Sequence, residues 1–191
     1  EWNGSNWALK GSQINGLTED ERSGFFVYIN SDGTAVAIGG YGYNGNTGIT
    51  YVYEWSGSDW ALKGNGGIHG VAEGAFSGYS VSINNDATIL AIGARFHGNS
   101  TINAGSARIY EWKDSYWMLN NDFVGLTQDE QFGISVSLNE DGTSIAIGGV
   151  GYNSYTGCAR IYSSPVSDSS SPGNLYVAGD ISLNSRLYIQ N

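Results

Sequence analysis

Asp141-Gly142-Thr143-Ser144-Ile145-Ala146-Ile147-Gly148-Gly149 is written almost the same way three times in this chain. Asp32-Gly33-Thr34-Ala35-Val36-Ala37-Ile38-Gly39-Gly40 is the first copy, and Asp86-Ala87-Thr88-Ile89-Leu90-Ala91-Ile92-Gly93-Ala94 is the second, without its turn glycine. Each copy reads as a turn, an apolar strand and a pair of small residues. Self-similarity at a fixed spacing decides architecture before any single side chain can.

The flanks repeat as well. Upstream, Gly24-Phe25-Phe26-Val27-Tyr28-Ile29-Asn30 aligns with Gly78-Tyr79-Ser80-Val81-Ser82-Ile83-Asn84 and with Gly133-Ile134-Ser135-Val136-Ser137-Leu138-Asn139. The last two alternate apolar and polar residues, the period of a strand with one buried face. The turn Asn30-Ser31-Asp32-Gly33 joins this strand to the next as a hairpin. Downstream, a glycine-rich loop leads to a third strand, Gly48 to Tyr53, with copies at Gly105 to Tyr110 and Gly157 to Tyr162. A fourth follows in Trp60-Ala61-Leu62-Lys63. Residues 1–11 recur as 54–64, and more loosely from Glu111-Trp112 to Trp117-Met118-Leu119. Each is two short strands about a tight turn, at Asn3-Gly4 or Ser56-Gly57, and the paired tryptophans are expected to cover an apolar face. Leu17-Thr18-Glu19-Asp20-Glu21 and Leu126-Thr127-Gln128-Asp129-Glu130 read as loops between units.

One unit is therefore four antiparallel strands in roughly 55 residues, close to the spacing of a β-propeller blade. The expected fold is all-β: a propeller region over 1–162, with repeat units at about 12–63, 64–120 and 121–162. The third unit runs from Ile161-Tyr162 into Ser163-Ser164-Pro165 without a fourth strand, and the chain begins with an orphan fourth strand at Trp7-Ala8-Leu9-Lys10, so that 1–11 completes another blade. Three blades are fewer than the roughly 4–8 of closed rings. Either upstream blades are missing, the favoured reading, or copies associate to complete a ring. Residues 163–173 are a Ser/Pro linker, and 174–191 carry a shorter β-repeat, Leu175-Tyr176-Val177 and Leu187-Tyr188-Ile189, expected to form a fibre-like tail.

Composition fits this reading. Charged residues are only 14% of the 191, whereas 29 are glycine and 13% are aromatic, which suits short strands and glycine turns and argues against a helical bundle. No stretch approaches the roughly 20 apolar residues of a membrane helix. A net charge of −10 repels phosphate backbones and anionic bilayers, so neither nucleic acid nor membrane insertion is expected. The chain opens at Glu1-Trp2, inside a repeat and without an initiator Met or signal peptide, and is expected to be processed or partial. Cys158 is the single cysteine and aligns with Ile49 and Ser106, a strand position rather than a reactive thiol.

Phe132-Gly133-Ile134-Ser135-Val136, then Asp141-Gly142, Ile147-Gly148-Gly149 and Gly157 to Ile161-Tyr162, resemble the FG-GAP repeat of integrin-α-like propellers, over most of residues 1–162. That family often carries a calcium loop of alternating aspartates. Here the turns offer only Asn30/Asp32, Asn84/Asp86 and Asn139/Asp141, so its calcium sites are not carried over, and neither metal nor cofactor is expected. The tail, with its Gly179-Asp180-Ile181-Ser182-Leu183-Asn184, resembles short repeats in surface and fibre proteins of large algal viruses and some phages.

Other signals point away from catalysis. Gly40-Tyr41-Gly42-Tyr43-Asn44-Gly45 fits a dinucleotide-binding fingerprint, which needs a helix next; a strand is expected instead. His69 and His97 have neither metal-ligand spacing nor repeat equivalents, although His97 with Arg95 and Phe96 could decorate a binding rim. Glu19, Asp20 and Glu21, with Asp129 and Glu130, read as solvated charged loops rather than a cation site. Tyr41, Tyr43, Tyr152 and Tyr155, with Asn44 and Asn153, are the candidate ligand residues, since exposed rings beside amides stack on sugars and bond their hydroxyls; packing between blades competes with that role. Asn3 and Asn99 head glycosylation triplets. The expectation is a non-enzymatic structural or adhesive module of an extracellular or virion-surface fibre. Its partners would be itself, other fibre or surface proteins, or glycans. A carbohydrate- or protein-binding receptor is the alternative, and a propeller hydrolase the third reading.

Overall fold

The computed structural model describes residues 4–97 and 103–164; Asn3 and Asn99 of the glycosylation triplets, most of the linker and the tail lie outside them. The described chain is all-β, in three antiparallel sheets, none closed on itself. The first sheet contains β1 (Phe26–Ile29), β2 (Ala35–Gly40), β3 (Ile49–Trp55), β4 (Trp60–Leu62) and β5 (Ile68–His69). The second contains β6 (Ser77–Ile83), β7 (Ile89–Ala94), β8 (Ser106–Lys113) and β9 (Tyr116–Val124). The third contains β10 (Ser135–Leu138), β11 (Ser144–Gly149) and β12 (Cys158–Ser163). Among the described residues no helix is long and apolar enough to cross a membrane.

The repeat holds at the level of register. Val27 faces Ile38, Val81 faces Ile92 and Val136 faces Ile147 across the first hairpin of each sheet. On the next strand, Ile38, Ile92 and Ile147 face Tyr51, Arg108 and Arg160. The fourth strand is less uniform. β9 runs the length of β8 with a bulge between Ile109 and Tyr110, while in the first sheet Gly64 to Gly67 interrupts it, so β5 pairs with the far end of β3. Among residues 4–11 only Trp7 takes part in β pairing.

Each first hairpin closes on its own side chains. Asn84 Oδ1 accepts the backbone N–H of Thr88 (2.9 Å) and of Ile89 (2.8 Å), and Thr88 Oγ1 donates to Asp86 Oδ1. Asn30 with Asp32 and Thr34 does the same, and Asn139 with Asp141 and Thr143 very nearly so. The Asn and Asp oxygens in these turns thus close the backbone. The hydrogen bonds lower the Asp141 carboxyl below the usual range, Thr143 hydroxyl first. Asn84 is almost fully buried. Asn84→Ala, which orphans two N–H groups, is expected to cost about 2 kcal/mol in urea unfolding, and Asn139→Ala, at an exposed turn, about half that.

The sheets pack in series through apolar faces. Phe26, Tyr28, Ala35, Ala37 and Val52 of the first sheet meet Val81, Ile83, Leu90 and Ile92 of the second. Ala91, Ala107 and Ile109 of the second meet Val136, Leu138, Ile145 and Ile147 of the third. The second sheet is covered on both faces: Ser80 and Ser82 are fully buried, Ser80 Oγ donating to Gly133 O (2.8 Å) and Ser82 Oγ accepting from Leu138 N (3.0 Å). The serine face of this strand is therefore an inter-sheet face rather than a solvent face. Close approach requires glycine: a Cβ on Gly93 would lie 1.9 Å from Gly133 O, and one on Gly39 2.0 Å from Gly78 O.

A second link recurs between neighbours. Lys10 Nζ lies 4.7 and 5.4 Å from the ring centres of Trp55 and Trp60; Lys63 Nζ lies 4.9 and 5.8 Å from those of Trp112 and Trp117. Each lysine reaches the tryptophan pair of the following unit, and Lys63 also pairs with Glu54 (2.7 Å). The cation is held against the ring faces by their quadrupoles.

Candidate functional site

The two tyrosine-bearing loops fold alike. After β2 and after β11 the chain makes a tight turn, Tyr43–Asn46 and Tyr152–Tyr155, that reverses through left-handed residues within it. Asn44 and Gly45 have φ of 45° and 65°; Asn153 and Ser154 have 45° and 57°. Asparagine tolerates this region because its short side chain bonds locally. The turn closes by Gly48 N to Tyr43 O (3.0 Å) and Gly157 N to Tyr152 O (3.2 Å). The strand β3 follows directly, so the glycine-rich stretch from Gly40 to Gly45 is a β–β loop.

These loops sit on the first and third sheets, with the second between them, so the six candidate residues do not form one site. Tyr43 packs beside His69 (ring centres 5.1 Å apart), and Tyr152 lies beneath the Arg160 guanidinium (5.7 Å). Tyr155 is 74% exposed, and Asn44 and Asn153 are exposed. Tyr41 is half-buried in a cluster of rings.

That cluster gathers five rings and two arginines. Phe25 contacts Tyr41 (4.6 Å) and Tyr79 (4.8 Å), Tyr41 stacks on Phe76 (5.5 Å), and Phe76 meets Phe96 edge-on (5.3 Å). Arg95 spreads over Tyr79 and Phe96 at 4.3 and 4.4 Å, and Arg22 donates to Tyr41 Oη (2.8 Å). The cluster joins the start of β1 and β6 to the ends of β2 and β7, spanning the first two sheets. Phe25 and Arg22 are exposed and Arg95 Nε is buried without a partner. Rings beside guanidinium groups suit a planar or anionic ligand, or a sugar ring. Of its members, sequence reading singled out Tyr41, Arg95 and Phe96. The others, Arg22, Phe25, Phe76 and Tyr79, are dispersed along the chain, and nothing local marks them. His97, which the sequence placed with Arg95 and Phe96 at a rim, turns away: its Nε2 lies 3.3 Å from Arg108, and burial, then the Arg108 charge, push its pKa down.

The acidic loops depart from expectation. Glu21 and Glu130 are 1% and 0% exposed, not solvated. Glu130 Oε2 accepts from Leu126 N (2.8 Å), Thr127 N (3.1 Å) and Thr127 Oγ1 (3.2 Å), and Glu21 Oε2 holds Leu17 and Thr18 in the same way. Each carboxylate caps its own loop from inside, which backbone N–H groups require of a buried segment. On the other oxygen the two differ. Glu130 Oε1 is ion-paired with Arg160 and accepts from Cys158 Sγ (3.4 Å). Glu21 Oε1 is buried with no hydrogen-bond partner, because Tyr51 stands where the third sheet has Arg160. Desolvation opposes ionisation of Glu130, but Arg160 and the loop N–H groups outweigh it and hold its carboxyl below the usual range. Burial, then the Glu21 charge, push Tyr51 up to about 12. Burial, then the bond to Glu130, raise the Cys158 thiol.

No family model matches the chain, and no curated protein matches it. Among solved structures it is similar to a chain of Kuenenia stuttgartiensis hydrazine synthase, at 11% identity and a TM-score of 0.45, over 76% of this chain and 33% of that one. The chain thus spans about a third of that neighbour's length, and a likeness this distant carries no argument about what the chain does.

Proposed function

We propose that this chain is a non-enzymatic β-propeller module of the FG-GAP type with a structural or adhesive role in an extracellular or virion-surface fibre. One observation carries the reading. Val27 and Ile29 are 57% and 54% exposed, whereas Val81 and Ile83, at the same places in the second sheet, are 0% and 2%. Residues built for an inter-sheet contact lie open on the first described sheet, and Ile161, 69% exposed, lies open at the other end of the described series. Open apolar faces of this kind suit assembly.

A receptor for carbohydrate or protein is the second reading, and the arginine–aromatic cluster with the exposed Tyr155 favours it. Electron microscopy of the purified chain and a glycan array separate the two. The structural reading expects multi-copy particles formed without ligand, and no saturable glycan binding. Saturable binding by a monomeric chain, abolished by Tyr43→Ala and Tyr152→Ala, would favour the receptor instead.

A further inference from the structure

We infer that two copies of this chain associate head to tail, the third sheet of each docking on the first sheet of the other. The inference rests on the reading of the chain as an assembly module. Its warrant is that the chain already contains both halves of the joint. In the internal contact between the second and third sheets, the second offers Ser80, Ser82, Ala91, Ala107 and Ile109. At the equivalent places on its outer face the third sheet carries Ser135, Ser137, Ala146, Ala159 and Ile161, the same five residue types in the same register. The first set is buried apart from part of Ile109; in the second set Ser135, Ser137, Ala159 and Ile161 are exposed.

The receiving half is equally complete. The third sheet meets its neighbour with Val136, Leu138, Ile145 and Ile147, and the first sheet carries Val27, Ile29, Val36 and Ile38 at those places. Among the described residues Gly148, equivalent to Gly93, meets no neighbouring sheet; its nearest contact is Ser135 Oγ of its own sheet. On the third sheet the backbone is therefore as free to approach closely as at the joint that Gly93 makes. The lysine link agrees. Lys10 sits on Trp55 and Trp60 as Lys63 sits on Trp112 and Trp117, which holds the segment before it where a preceding sheet would place its fourth strand. Docking the third sheet of a second copy there sets that segment beside β12, the outer strand of the third sheet among the described residues.

Such a joint is heterologous: it uses two different faces and repeats until it closes. Two copies of the 191-residue chain supply six described sheets, within the roughly 4–8 that close a ring, so for this chain the expected species is a closed dimer with two equivalent joints. Both faces lack charged residues while each copy carries a net charge of −10. Salt should therefore strengthen the association by screening that repulsion.

Sedimentation equilibrium of the 191-residue chain tests this. Wild type is expected at twice its 20.3 kDa mass, with a dissociation constant that falls as sodium chloride rises. Val27→Lys/Ile29→Lys blocks the receiving face and Ile161→Lys the offering face. Either variant alone is expected to be monomeric with an unchanged β-sheet circular dichroism spectrum, all three substituted positions being exposed. Mixed, each supplies the face the other lacks, and a one-to-one dimer returns with one joint. A monomeric wild type at high micromolar concentration overturns the inference and the assembly reading together. Multimers indifferent to these substitutions, or variants that fail to complement, overturn the head-to-tail joint and leave the assembly reading standing.

Discussion

Gly93→Ala is expected to cost more than about 3 kcal/mol and to separate the second sheet from the third. The added methyl would lie 1.9 Å from Gly133 O and 2.2 Å from Ser80 Oγ. The first is backbone and cannot swing aside, so the sheets must part or the strand must bend; overpacking of a tight core costs about 1–3 kcal/mol even where side chains yield. Parting the sheets also breaks the buried bond from Ser80 Oγ to Gly133 O. Gly148→Ala is the internal control. It occupies the same place in the third sheet, yet its Cβ would meet only Ser135 Oγ (2.4 Å) among close atoms, a hydroxyl free to rotate at an exposed residue. Its expected cost is below about 1 kcal/mol. Equal losses for the two, measured by guanidinium unfolding in the monomeric Val27→Lys/Ile29→Lys background where no second copy can seat on Gly148, would refute the account of close sheet approach.

Glu130→Gln is expected to destabilise the chain by about 3 kcal/mol, since it strands the Arg160 guanidinium in a largely buried setting and removes the charge that bonds three donors of its loop. Glu21→Gln should change stability by less than about 1 kcal/mol. The amide oxygen still serves Leu17 and Thr18, and the substitution removes a buried charge with no cation beside it. Acid titration supplies a second readout. The folded pKa of Glu130 lies below its unfolded value, so its contribution is complete above the ordinary carboxylate range near about 4. It is lost as pH falls through the folded pKa. The acid limb of the stability curve should therefore be shallower in Glu130→Gln than in wild type, as followed by urea midpoints at stepped pH.

The strands and their register were legible because the chain states them three times: Val27, Val81 and Val136 could be aligned from sequence and face Ile38, Ile92 and Ile147. Alternation in Ser80-Val81-Ser82-Ile83 marked a strand but not its surroundings. A serine face reads as solvent-facing until a neighbouring backbone, here Gly133 O and Leu138 N, arrives to bond it. The acidic loops misled for a related reason. Glu130 is one of several neighbouring acids, and its cation partner is 30 residues away, on a strand of the same sheet. Tyrosine-rich loops were recognised as such, yet the cluster around Tyr41 draws Phe25, Phe76, Tyr79 and Phe96 from separate loops and a strand of two sheets.

The lysine resting on the next unit's indoles has a consequence for how such an array changes length. The first repeat carries both halves of the clasp near its end: the pair Trp55 and Trp60 that takes the preceding lysine, and the Lys63 that reaches the following pair. A duplication of that whole repeat would therefore arrive with both halves in place and need no compensating mutation. Where the described series stops, both halves lapse together: Asn120 replaces the lysine, and Ser163-Ser164 stand where a tryptophan hairpin would start.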